Sequence, residues 1–199
     1  MTKSLEISTL ETLVASKFRW CEIHTKFGLA NDVPSRIAQL FRGNSTERAH
    51  AYWKLDNVIV LQGSLSQAAY YTASVILEVL STGEERINLQ VANLLFEILN
   101  GHAERDEDII LIDGIAKPLS NICYSIISSN WKLIFDRYID ATDDLAASTL
   151  ADMLISMPDQ YHNIRNELVA VKVGSERNAK AIALILKIDS EMRVSKKEP

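Results

Sequence analysis

The stretch LSQAAYYTASVILEVLS, residues 65–81, decides the fold class. Its Leu65, Ala69, Ala73, Ile76, Leu77 and Leu80 recur at the 3.6-residue period that gathers apolar side chains on one helix face. Thr82-Gly83 interrupts the pattern. The following TGEERINLQVANLLFEILNG (82–101) restarts it with Ile87, Val91, Leu94, Leu95 and Ile98. Glu84 and Glu85 are expected to open that second helix, because carboxylates suit the positive N-terminal end of a helix dipole. Asn100-Gly101 is its expected stop. Neither stripe can be buried by one helix alone, so both need packed neighbours.

Towards the N-terminus, VPSRIAQLFRG (33–43) reads as a short helix, with Pro34 in its first turn and Gly43 after its last. Asn44 with Glu47 three residues on is a capping-box-like pair, so NSTERAHAYWKL (44–55) starts another helix. NVIVLQG (57–63) fits a helix ending before Gly63 or a brief extended segment, and the helical reading is the expectation. Leu10, Leu13, Val14, Phe18, Cys21 and Phe27 predict a first helix from about Thr9 to Phe27, stopped by Gly28.

Towards the C-terminus, IILIDG (109–114) carries the aliphatic run and Asp-Gly of a strand and turn, but its helical surroundings favour a helical turn. Pro118 is expected to start a helix through about Ser128, with NWKLIFDRYI (130–139) after it. Asp143 and Asp144 open a helix to about Met157. Another follows Pro158 and carries Tyr161, Ile164, Leu168 and Val171. The last follows Gly174-Ser175 with Ala179, Ile182, Ala183 and Leu186, and the tail from about residue 194 should fray. The reading is one all-α domain, 1–199, of about nine or ten short helices.

Composition agrees. Seven Gly and four Pro in 199 residues are too few for the turns of an all-β chain. The net charge of −5 is concentrated in residues 104–159, where eleven acidic side chains face four basic ones. Such a block repels phosphate backbones and attracts cations, so no nucleic-acid partner is expected. The most apolar segment, 109–127, contains Asp113, Gly114, Lys117, Pro118 and Asn121, so no membrane span is expected. The N-terminus shows no secretory signal pattern, and Cys21 and Cys123 read as buried, reduced thiols of a cytoplasmic protein.

Three helix starts share a phrase: NSTERAHAYWKL (44–55), STGEERINLQVANLL (81–95) and VGSERNAKAIALIL (173–186). Each places Glu-Arg before an apolar helix, which puts Arg48, Arg86 and Arg177 at corresponding places and suits a repeat of about 40 residues. With the Pro-containing helix ahead of the first, the pattern resembles the HEAT-repeat (armadillo-like) family. The segment AYWKLDNVIVLQGSLSQAAYYTASVILEVL (51–80) resembles a group of short bacterial HEAT-type proteins, some of them thought to be toxin immunity proteins. The resemblance implies a right-handed α–α superhelix, or solenoid, that binds another protein.

No chemistry-bearing motif accompanies it. His24, His50, His102 and His162 have no His or Cys at ligand spacing, His102-Ala103-Glu104 lacks the downstream cysteines of a deaminase site, and phosphate-loop and nucleophile-elbow motifs are absent. The expectation is therefore a non-catalytic chain with no catalytic residue, metal or cofactor. Its candidate partner-binding residues are the acidic Glu104, Asp106, Glu107, Asp108, Asp140, Asp143 and Asp144, with Tyr70 or Tyr71 as aromatic anchor. These carboxylates also suit ordinary helix capping, and aromatics at helical spacing, such as Tyr52, Trp53, Trp131 and Tyr161, are ordinarily core. An immunity protein against a basic toxin is the expected form. An adaptor for an unrelated protein is the alternative, and a helical-repeat DNA glycosylase is disfavoured by the charge.

Overall fold

Three times in the first 129 residues a helix is followed by a β-hairpin and then by a second helix. Helix α1 (Thr2–Lys17) precedes strands β1 (His24–Thr25) and β2 (Gly28–Leu29) and helix α2 (Val33–Arg42). Helix α3 (Ser45–Ile59) precedes β3 (Val60–Leu61), β4 (Ser64–Leu65) and α4 (Gln67–Ser81). Helix α5 (Leu89–Asn100) precedes β5 (Ile109–Ile112), β6 (Ile115–Pro118) and α6 (Leu119–Ser129). Helices α7 (Trp131–Asp140), α8 (Asp144–Ile155) and α9 (Tyr161–Ala170) follow. This computed structural model describes residues 2–103, 109–112, 115–170 and 183–190, and the protein is mostly helical. The chain divides into two compact units, Met1–Ile127 and Ser128–Pro199.

In the first unit, α5 packs against α2, α3 and α4. The stripes read from the sequence are its core: Ile76, Leu80, Leu94, Leu95 and Ile98 are buried, with Ile37, Leu40, Leu55 and Ile59 opposite them. Burial of each such side chain contributes about 1.5–3 kcal/mol before entropy is charged against it. The capping box forms as read. Asn44 Oδ1 accepts from the Thr46 and Glu47 N–H groups, and the Glu47 carboxylate accepts from the Asn44 N–H at 2.6 Å.

The hairpins correct four expectations. The first helix does not reach Phe27. It ends at Lys17, where the Trp20 indole folds back to donate to the Val14 carbonyl at 3.0 Å, satisfying a helix-end acceptor. A 3-10 turn, Trp20–Glu22, then leaves Cys21 exposed, and the hairpin pairing His24 with Leu29 leaves Phe27 exposed at its tip, so neither lies on a buried stripe. The α3 helix stops at Ile59 and the chain turns through Gln62 (φ 52°) and Gly63 (φ 81°). Two positive φ angles are the geometry of a primed two-residue turn, which glycine adopts without strain. Residues 109–112 are extended and pair with 115–118, so Pro118 ends a strand and α6 begins at Leu119. Helix α5 begins at Leu89, not at the glutamates. Glu85 is held by Arg42 at 2.5 Å, and Asn88 caps the helix while its amide donates to the Leu40 carbonyl at 3.0 Å.

The Glu-Arg phrase consequently does not mark one structural position. Arg48 lies inside α3 with its Nε buried and unpartnered, whereas Arg86 precedes α5 by three residues. Arg177 and the expected start of the last helix lie outside the described residues.

In the second unit, α7, α8 and α9 pack together over Ile134, Phe135, Leu150, Met153, Leu154, Ile164 and Leu168. Tyr161 donates to the Ile155 carbonyl at 2.5 Å, and Lys132 joins Asp136 and Glu167, each at 3.0 Å. Residues 183–190 are helical and bury Leu184 and Ile188, while Leu186, expected on the apolar stripe, is exposed.

Candidate functional site

The residues singled out from the sequence do not assemble into one site. Tyr70 and Tyr71 are both half-buried on α4, their rings 5.2 Å apart, and Tyr71 also packs edge-on against Phe18 at 4.8 Å. Burial, with Tyr70 adding to it, raises the Tyr71 hydroxyl pKa. In the second unit, Asp140, Asp143 and Asp144 are exposed. Asp143 is the N-cap of α8, accepting from the Leu145 and Ala146 N–H groups at 2.9 and 3.2 Å. Glu104, Asp106, Glu107 and Asp108 lie outside the described residues. Cys123 is buried as expected, which pushes its thiol up to about 12 and leaves it unreactive. Among the described residues no three His, Cys, Asp or Glu side chains come together as metal ligands, and no helix is long and apolar enough to cross a membrane.

A different cluster sits where the hairpins meet. The Lys26 N–H donates to the Val58 carbonyl in the last turn of α3 at 3.0 Å, and the Lys26 ammonium donates to Ser64 Oγ at 2.5 Å. The first hairpin is thereby fixed to the second. His102, just past α5, lies along the second hairpin, donating to the Gly63 carbonyl at 2.8 Å and accepting from the Leu65 N–H at 2.9 Å. The C-terminal ends of α3 and α5 therefore share one end of the unit. Two negative dipole ends converge there.

Each of those two ends carries a carboxylate in the position the dipole least favours. Asp56 and Glu97 are each three residues from the end of their helix, and neither last turn contains a basic residue. Both are half-buried, and neither has a hydrogen-bonding or ion-pairing partner for its carboxylate among the described residues. Desolvation raises the pKa of both, and Asp56 raises Glu97 further. Tyr52, one turn before Asp56, is pushed up to about 12 by burial and then by the two carboxylates, which places all three in one electrostatic neighbourhood. Beside them Trp53 is 60% exposed, its ring 5.2 Å from Tyr52 and nearly perpendicular to it. Phe27, at the tip of the first hairpin, is 71% exposed. Large aromatic surface left in water next to uncompensated charge is what an interaction surface needs and a free-standing core does not.

These carboxylates cost stability at neutral pH. Their folded pKa values lie above the ordinary range, so the folded state holds the proton more tightly than the unfolded chain. Stability is then fully present below the ordinary carboxylate pKa and is lost as pH rises through the folded value. Glu97→Gln should raise the melting temperature at pH 7 by about 1–2 °C, and the gain should vanish near pH 4, where Glu97 is itself protonated. A pH-independent difference, read by thermal unfolding across that range, would show that neither desolvation of the Glu97 carboxylate nor its repulsion by Asp56 is the cause.

Comparison of the chain with protein-family models, with curated proteins and with solved structures finds no match. The chain is thus defined by its own geometry: a mostly helical protein whose first unit alternates helices with short hairpins.

Proposed function

We propose that this chain is a non-catalytic protein-binding module and that the hairpin end of its first unit receives a basic protein. The observation that carries this reading is the pair of unneutralised carboxylates, Asp56 and Glu97, on adjoining helix C-termini beside the exposed Trp53. A cationic partner removes the repulsion that the free protein tolerates, and the aromatic surface supplies the desolvated contact that holds it. The HEAT-type resemblance gives the proposal its finer form: a superhelical stack acting in the cytoplasm as an immunity protein that covers a basic toxin. Helix–hairpin–helix segments repeated along the first unit support that form, as does the excess of acidic residues.

The test is recovery of partners by the tagged full-length chain from its native cell, compared with the Asp56→Lys/Glu97→Lys variant. A basic protein should be recovered with the native sequence and fall by about tenfold with the variant, with the native recovery weakening as salt rises. Circular dichroism of the variant confirms its fold. Equal recovery by both proteins, or partners that are acidic, would remove this surface as the binding site.

A further inference from the structure

The cluster at the ends of α3 and α5 has more definition than a general negative patch. Asp56 is three residues after Trp53 and four after Tyr52, so the three lie on one face of α3 within a single turn. The second carboxylate, Glu97, comes from a different helix, packed on the first. The two rings meet at 68°, forming an aromatic corner rather than a stack.

No cation of the described chain fills that corner. Lys54 is two residues from Asp56 and so projects from the far side of α3. Arg48 is two helical turns away, about 12 Å along the axis. Lys26 reaches the neighbouring hairpin but donates to Ser64. Trp53 is left exposed, and Asp56 and Glu97 stay half-buried without a cation of the described chain to neutralise them.

We propose that Tyr52, Trp53, Asp56 and Glu97 form a receptor for a single arginine side chain of the partner protein. This deepens the basic-partner reading and rests on it. A guanidinium is flat, so one face can lie against the Trp53 ring while its edge donors reach carboxylates on two sides. A lysine ammonium is a compact, strongly hydrated point charge that offers no second plane to the indole. Two acceptors on separate helices and an open aromatic face match the fork of the former better than the point charge of the latter.

The experiment is a titration of the 15N-labelled full chain with three capped tripeptides, Gly-Xaa-Gly, in which Xaa is arginine, lysine or citrulline. The reporter is the indole Nε1–H of Trp53, assigned with Trp53→Phe and read against Trp20 and Trp131. The arginine peptide should shift the Trp53 signal saturably at about millimolar concentration, as one charged and stacked side chain allows. Lysine should bind about threefold more weakly or worse, and citrulline, which keeps the shape but not the charge, should not saturate.

The Asp56→Asn/Glu97→Gln variant should weaken the arginine peptide by at least about fivefold. It removes a repulsion, so its fold is expected to survive, and the unmoved Trp20 and Trp131 signals check that. Lysine binding as tightly as arginine would overturn the arginine assignment and leave a basic partner in place. Citrulline matching arginine, or no saturable shift with any peptide, would overturn the receptor itself. Partner recovery with the charge-reversed variant then decides the wider reading separately.

Discussion

Replacing Leu94 with alanine should destabilise the first unit by about 2–5 kcal/mol, the largest effect expected of a single truncation in this core. Leu94 is fully buried on α5, the helix against which α2, α3 and α4 all pack. A site closed on several sides collapses poorly, so the lost contacts are not regained and a cavity remains. Urea unfolding should show the midpoint falling by about 1–2 M with an unchanged slope. Leu94→Met, which keeps most of the volume, should cost less than about 1.5 kcal/mol. If alanine costs no more than methionine, α5 is not the centre of this unit. The same helix carries Glu97 one turn later, so the truncated protein should also bind its partner less well even where it remains folded.

How much of this could be read from residues alone depends on the length of the element. Helices α4 and α5 announce themselves because a dozen or more residues repeat one period, and every position assigned to the α4 stripe is buried, although Leu65 is buried from strand β4 and the helix itself starts at Gln67. The capping of α3 was legible for another reason, since Asn44 and Glu47 act on each other locally. The start of α5 was not. Glu84 and Glu85 look like first-turn carboxylates, but Arg42, distant in sequence, draws Glu85 away and leaves Asn88 to cap.

The first two hairpins have strands of only two residues, which have no period to detect, and the four-residue strand at 109–112 was legible but outweighed by its helical surroundings. In residues 10–27 the apolar spacing even ran through one of them. A signal did exist: Gln62-Gly63 lies between the paired strands β3 and β4, and Gly28 opens β2 directly after the turn of the first hairpin.

The candidate site was hidden by ordinariness. Asp56 and Glu97 resemble any solvated helix acid until α3 and α5 are packed side by side. Their position three residues from a helix end whose last turn holds no basic residue was visible in principle once the boundaries were known. Tyr70 and Tyr71 drew attention as a pair, yet Phe18 covers part of that row, while Trp53 stays in water. Which aromatic is exposed is a tertiary property, and a single helix cannot decide it.

Gly101→Ala tests the joint that brings α5 to the second hairpin, and it should cost about 1–3 kcal/mol. Gly101 has φ −71° and ψ 155°, a conformation alanine adopts freely, so backbone strain contributes nothing. The cost comes from contact. A Cβ there would lie 2.7 Å from Leu65 Cγ, nearer still to Cδ2, and 3.1 Å from the Glu97 carbonyl oxygen. Leu65 is buried, and its N–H is tied to the His102 carbonyl one residue beyond the glycine, so neither side can yield without loosening the hairpin. Thermal unfolding should show the loss, and the amide signals of Ser64, Leu65 and His102 should shift most. Leu65→Ala opens the space the new methyl needs, so the double variant should be more stable than the sum of the two single losses by at least about 1 kcal/mol. Additive losses would mean that Gly101 and Leu65 do not press on each other. The hairpin would then be held to α5 by its backbone hydrogen bonds alone.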